Sequence, residues 1–177
     1  APRLHELAVA AKAVNIPLTV DAEEAERLEL SLDLIEHVAR SKELQGWDGF
    51  GLAVQAYQKR AIDVIRWLKA LAQSSGRRLN VRLVKGAYWD SEIKRAQERG
   101  LSGYPVFTRK MNTDVSYIAC ARELIASGAE IYPQFAAREA VRTAISAAQR
   151  TLAGAEFTYA VCRPPGHHAG PSFHAGY

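Results

Sequence analysis

No stretch of the 177-residue sequence approaches the roughly 18 consecutive apolar residues that a membrane-spanning helix needs, and no charged-then-apolar leader opens it. Charge of one sign is scarce too. The 23 Lys and Arg stand against 19 Asp and Glu, and the net +4 is scattered, with Arg77-Arg78 the densest basic pair. That excludes the concentrated basic footprint of a nucleic-acid binder. Cysteine is nearly absent: Cys120 and Cys162 are lone thiols without a Cys-x-x-Cys, which excludes a disulfide scaffold and points to a reducing, cytoplasmic setting. Low-complexity tracts are missing, and 48% apolar against 24% charged residues excludes wholesale disorder and supplies a core. The sequence opens at Ala1 without an initiator Met and stops at Tyr177, so it is expected to be a piece of something longer.

What is present alternates between two periods. Ile16–Val20 is a short apolar run after Asn15 and predicts a strand; Ala25, Leu28, Leu32, Ile35 and Val38 then recur at spacings of three and four, an amphipathic helix. Phe50–Tyr57 predicts a buried strand. Ala61, Val64, Ile65, Leu68 and Leu71 mark the next helix, which Gly76 is placed to end. Leu79–Val84 predicts a third strand. Asp90 is expected to cap the helix that follows, with Gly100 as its stop. A helix over Val115–Ala126 leads to a fourth strand at Ile131–Phe135. Strands separated by helices imply parallel βαβ units and an α/β fold.

In such folds ligands collect at the carboxyl ends of the strands. Asp21, Gln55, Arg82 with Lys85, and Gln134 fall there, so four successive strand ends each offer a polar or charged group. Simpler roles exist for each. Arg82 can pair with Asp21 as a buried ion pair, Lys85-Gly86 can be a plain strand-to-helix turn, and Arg109-Lys110 can be solvated surface. Gly46-x-x-Gly49-x-Gly51 has the wrong spacing for a dinucleotide fingerprint and precedes a strand instead of following one.

The segment from Val81 to Gln97, VRLVKGAYWDSEIKRAQ, strongly resembles the flavin-dependent proline dehydrogenase domain of the bifunctional proline utilisation A family. LTVDAEEA from Leu18, VQAYQKR from Val54, GYPVFTRK from Gly103 and TDVSY from Thr113 match it in the same order. The resemblance covers about Leu4 to Ala136. It implies part of a distorted (β/α)8 barrel with FAD at its strand ends, oxidising L-proline to 1-pyrroline-5-carboxylate and passing electrons to a quinone-type acceptor. It places Asp21 and Arg82 in the catalytic centre, and Ala22 and Gln55 against the flavin. Val84, Lys85, Gly86, Ala87, Tyr88 and Trp89 become a cofactor-binding turn. Thr108, Arg109 and Lys110 go to the phosphate and adenine side, and Gln134 lies near the ring. Peripheral membrane contact is expected only of a full-length parent.

The chemistry suits these residue types. A flavin that accepts hydride gains negative charge, which a guanidinium such as Arg82 stabilises without losing its own proton. Gly86 lets backbone approach closely, and Arg109 with Lys110 suits a pyrophosphate.

The resemblance stops after Tyr132–Ala136: Ala137-Arg138-Glu139 replaces the family's Thr-His-Asn, and no Arg-Arg-x-x-Glu helix for the proline carboxylate follows. Residues 138–177 carry a helical spacing (Val141, Ala144, Ile145, Ala148, Leu152), a strand over Phe157–Cys162, and then RPPGHHAG from Arg163. That segment resembles histone deacetylases and acetylpolyamine amidohydrolases, where paired histidines, here His167 and His168, move protons at a zinc-bound water. The family's Asp-x-His zinc ligands do not occur in the sequence, so no metal site is expected. The expected organisation is therefore a partial FAD-binding barrel over 1–136 and a partial deacetylase-like α/β piece over 137–177. The expected activity is a defective proline dehydrogenase. The alternatives are an incomplete zinc-dependent amidohydrolase and an inactive chimeric fragment with exposed strand edges.

Overall fold

The computed structural model describes residues 2–136 and the backbone of Thr158–Ala160. Helix α1 (Pro2–Ala13) leads into strand β1 (Leu18–Val20), and a 3-10 turn (Ala25–Arg27) into α2 (Leu28–Ala39). A second 3-10 turn (Lys42–Leu44) precedes β2 (Phe50–Gln55), followed by α3 (Ala61–Ser75) and β3 (Leu79–Val84). Helices α4 (Trp89–Glu98) and α5 (Lys110–Ala126) come next, then β4 (Ile131–Ala136) and β5 (Thr158–Ala160). Every strand pairs parallel with its neighbour in sequence, giving one sheet of order β1-β2-β3-β4-β5. Each crossover therefore steps the same way along the sheet, as right-handed βαβ connections do.

The pleat sorts the sheet into two faces. Leu52 and Val54 sit in register with Val81 and Leu83, and these with Pro133 and Phe135. All of these but Pro133 pack with Phe50, Leu79 and Ile131 into one cluster against Ile35 and Val38 of α2, Val64, Ile65 and Leu68 of α3, and Tyr117, Cys120 and Leu124 of α5. The opposite face carries Gly51, Ala53 and Gln55, then Asn80, Arg82 and Val84, then Tyr132, Gln134 and Ala136, small or polar at most positions. One face builds the core. The other is left for something polar.

The strands and α3 lie where the periodicities put them, and Gly76 ends α3 in the left-handed conformation at φ 63°. Three details differ. α1 carries no expectation from the sequence, because its alanine-rich apolar residues form no clean stripe. Asp90 is not a cap: α4 begins at Trp89 behind Tyr88, which places Asp90 inside the first turn. α5 starts at Lys110 instead of Val115. Its buried face runs through Thr113, Tyr117, Cys120 and Leu124, while Met111, Val115 and Ile118 are exposed. No helix among the described residues is long and apolar enough to cross a membrane.

Candidate active site

The polar face of the sheet delivers its functional groups in one row. Ala53 pairs with Arg82 and Arg82 with Gln134, while Asp21 follows Val20, the partner of Leu52. The Arg82 guanidinium donates through Nη2 to Asp21 Oδ1 across β2. Ala53 lies between them and has only a methyl group to interpose. The pair is not the buried one that the sequence allowed: Arg82 is 36% exposed and Asp21 74%. Its net worth to folding is then at most about 1 kcal/mol. An exposed pair at the carboxyl ends of β1 and β3 contributes more as oriented charge than as a clamp.

Below it, Gln55 is buried and joins two loops. Its Nε2 donates to the Glu23 carbonyl at 2.7 Å, and its Oε1 accepts from the Ala87 N–H at 3.1 Å. The loop after β1 and the turn after β3 are thus held to the end of β2. Tyr88 adds a third tie, its hydroxyl donating to Glu23 Oε2 at 2.9 Å, and that bond holds the Tyr88 phenol above its ordinary range. Ala56 and Tyr57 N–H groups donate to the Val84 and Lys85 carbonyls, both at 2.8 Å.

Gly86 sits in that turn at φ 139°, and a Cβ there would stand 2.5 Å from the ring of Tyr57. Tyr57 is 2% exposed, its hydroxyl has no hydrogen-bond partner among the described residues, and burial pushes its pKa up to about 12. At the rim, Asp114 accepts from Lys85 through Oδ1 and from Lys110 through Oδ2, the latter at 3.0 Å. The hydrogen bonds from Lys85 and then Lys110 hold the Asp114 carboxyl below the usual carboxylate range.

These residues surround an open cleft of about 640 Å³, which Asp21, Ala22, Gln55, Val84, Lys85, Gly86, Ala87, Tyr88 and Lys110 all line. Arg82 reaches it through Asp21. Trp89 opens α4 and donates its indole N–H to the Phe107 carbonyl at 2.9 Å. Thr108 and Arg109 are exposed ahead of α5, and Gln134 is half-buried beside Arg82 on β4. None of these four lines the cleft. His167 and His168 lie outside the described residues. Sequence reasoning missed Glu23, Tyr57, Glu92 and Asp114. All four fall inside the segments that carry the resemblance, and Asp114 also stands four residues after Lys110 on one helix.

Among the described residues, no group of three or more His, Cys, Asp or Glu is arranged to hold a metal ion. The lining offers charge of both signs, Lys85 and Lys110 beside Asp21 and Glu23, with a close-approach turn at Gly86 and a volume ordinary for cofactor clefts. A parallel sheet with helices packed on one face and an open cleft at its strand ends defines an α/β protein with a candidate ligand site there.

The chain belongs to the proline dehydrogenase family, whose model matches residues 2–161. That match runs past Ala136, where the junction was expected. Over 139 residues the chain is 60% identical to the bifunctional protein PutA of Salmonella typhimurium, covering 78% of this chain and 10% of that protein. It is 47% identical to PutA of Rhizobium meliloti over 175 residues, covering 99% and 13%. The chain thus spans little more than a tenth of these relatives. Among solved structures, Bradyrhizobium japonicum proline utilization A superposes with a TM-score of 0.84 at 56% identity, over 89% of this chain and 16% of that one. The enzyme from Bdellovibrio bacteriovorus, solved after inactivation by N-propargylglycine, gives 0.82 at 30% identity, over 85% and 16%.

Proposed function

We propose that this chain forms the flavin-holding part of a (β/α)8 barrel that oxidises L-proline to 1-pyrroline-5-carboxylate, with a quinone-type compound as the final acceptor. The observation that carries the proposal is the row Asp21, Ala53, Arg82, Gln134 at the strand ends beside an open cleft. Family membership supports it, as does the sequential strand order, which is that of a barrel segment.

FAD, when bound, supplies the hydride acceptor. The chain's own groups have separate tasks. Arg82 stands on β3 and pairs with Asp21, which lines the cleft, so a guanidinium is held beside it where negative charge can be stabilised. Asp21 accepts from Arg82 and fixes its direction. Gln55 holds Glu23 and Ala87 so that both walls of the cleft keep one spacing. Lys85 and Lys110 attract anionic phosphates, and Asp114 holds their ammonium groups in place meanwhile.

For residues 137–177, the family match to residue 161 and the 175-residue alignment favour continuation of the dehydrogenase domain over a separate deacetylase-like segment.

The test is anaerobic addition of L-proline to flavin-loaded chain. Bleaching of the visible flavin band supports the proposal. A loaded chain that dithionite bleaches and L-proline does not would reject proline oxidation by this chain alone and leave its flavin site standing.

A further inference from the structure

Glu92 is the only buried acidic side chain among the described residues, at 3% exposure, and the chemistry above makes no use of it. A carboxylate is costly to bury unless hydrogen bonds replace its lost water, so its partner is informative. Glu92 stands in the first turn of α4, directly after the Val84–Trp89 turn. Its Oε1 accepts from the backbone N–H of Ala25 at 2.6 Å.

Ala25 opens the 3-10 turn Ala25–Arg27, where the preceding residue, Glu24, gives no side-chain cap. Glu92 therefore acts as the cap, delivered from a distant helix. The other side of the same residue is held as well, since Arg60 Nη2 donates to the Ala25 carbonyl at 2.7 Å. Between this doubly held residue and the end of β1 lie only Asp21, Ala22, Glu23 and Glu24. Gln55 already fixes the Glu23 carbonyl. Asp21 thus extends from a segment whose far end is set by α4.

We propose that Glu92 is a positioning residue: by accepting from Ala25 it sets the Asp21–Glu24 segment against the Val84–Trp89 turn, and so the direction from which Asp21 meets Arg82. The inference deepens the flavin proposal, and its test does not require flavin. What matters is the reach of the acceptor oxygen, not the charge. Arg95, at 3.2 Å from Glu26, has a counter-ion of its own.

Two substitutions separate reach from charge. Glu92→Gln keeps an acceptor oxygen at the same reach and removes the charge. Glu92→Asp keeps the charge and withdraws the acceptor by about 1.5 Å, one carbon–carbon bond. The readout is the Arg82 guanidinium in nitrogen-labelled full chain, where pairing with Asp21 slows rotation and resolves the Nη–H signals. Asp21→Asn supplies the reference for lost pairing. A global melt shows that each variant is folded. The expected pattern is resolved Arg82 signals in Glu92→Gln and collapsed signals in Glu92→Asp.

With FAD, Glu92→Asp should weaken binding roughly tenfold, within the range over which neighbouring residues couple, and should add nothing once Asp21 is Asn. Signals lost in Glu92→Gln but kept in Glu92→Asp would assign the role to charge and overturn the inference. Signals kept in both would overturn it equally. A chain that binds no flavin in any form would reject the cofactor proposal, while the Arg82 signals would still decide this one.

Discussion

Replacing Gly86 by alanine tests the geometry of the cofactor turn at its tightest point. At φ 139° an alanine must adopt a conformation that L residues rarely occupy, which costs of order 1–3 kcal/mol. The added Cβ also meets Tyr57 Cγ and Cδ1 at 2.5 Å, and Tyr57 is fully packed, so the ring must be displaced. Overpacking of this kind costs about 1–3 kcal/mol more. Together they predict a loss of roughly 2–6 kcal/mol, or about 4–24 °C in Tm for a domain of this size. Urea denaturation followed by far-ultraviolet circular dichroism reads the loss directly. Tyr57→Ala as the second arm of a cycle separates the two contributions. In that background Gly86→Ala should retain the backbone cost and lose the steric one. A Gly86→Ala chain within about 0.5 kcal/mol of the wild type would refute the reasoning, because substitutions away from special sites typically fall in that range.

Two further outcomes concern titrating groups. Tyr57→Phe removes a buried hydroxyl that has no partner among the described residues and should be neutral or stabilising by up to about 1 kcal/mol in the same denaturation assay. It should also flatten the alkaline limb. The folded Tyr57 pKa lies at about 12, above the ordinary 10, so the folded state holds its proton longer and wild-type stability falls as pH rises from 10 towards 12. Asp114 behaves oppositely. Its depressed carboxyl pKa gives stability that is present above the ordinary 3.8 and lost as pH falls through the folded value. Acid titration of Asp114→Asn should show a shallower decline below about pH 4 than the wild type; equal slopes would remove Lys85 and Lys110 as its partners.

Elements whose apolar period coincides with their buried face were legible in the sequence. α3 is the clearest case: Val64, Ile65, Leu68 and Leu71 recur at helical spacing, all are buried, and Gly76 supplies the left-handed stop. α5 shows the limit. Met111, Val115 and Ile118 advertise a stripe that faces outward, while Thr113 and Tyr117 face in, so hydrophobicity misplaced its start. The Asp90 cap failed because a capping residue type says nothing about which residue first turns helical.

The site divides the same way. Asp21, Gln55, Arg82 and Lys85 were readable because strand ends can be counted along the sequence. Tyr57 and Glu92 were not, since their roles exist only once the turn after β3 lies over β2 and α4 reaches the 3-10 turn. The paired role of Gln55, between Glu23 and Ala87, likewise depends on two loops meeting in space.

The central claim is that the open cleft at the ends of β1 to β3 holds flavin. Titrating FAD into the purified chain, with induced circular dichroism in the visible band as the signal, tests it most directly. The account predicts a saturable signal that Arg82→Ala weakens and Gly86→Ala abolishes in a chain still folded at low temperature. A folded wild-type chain that gives no induced signal at saturating FAD would contradict it.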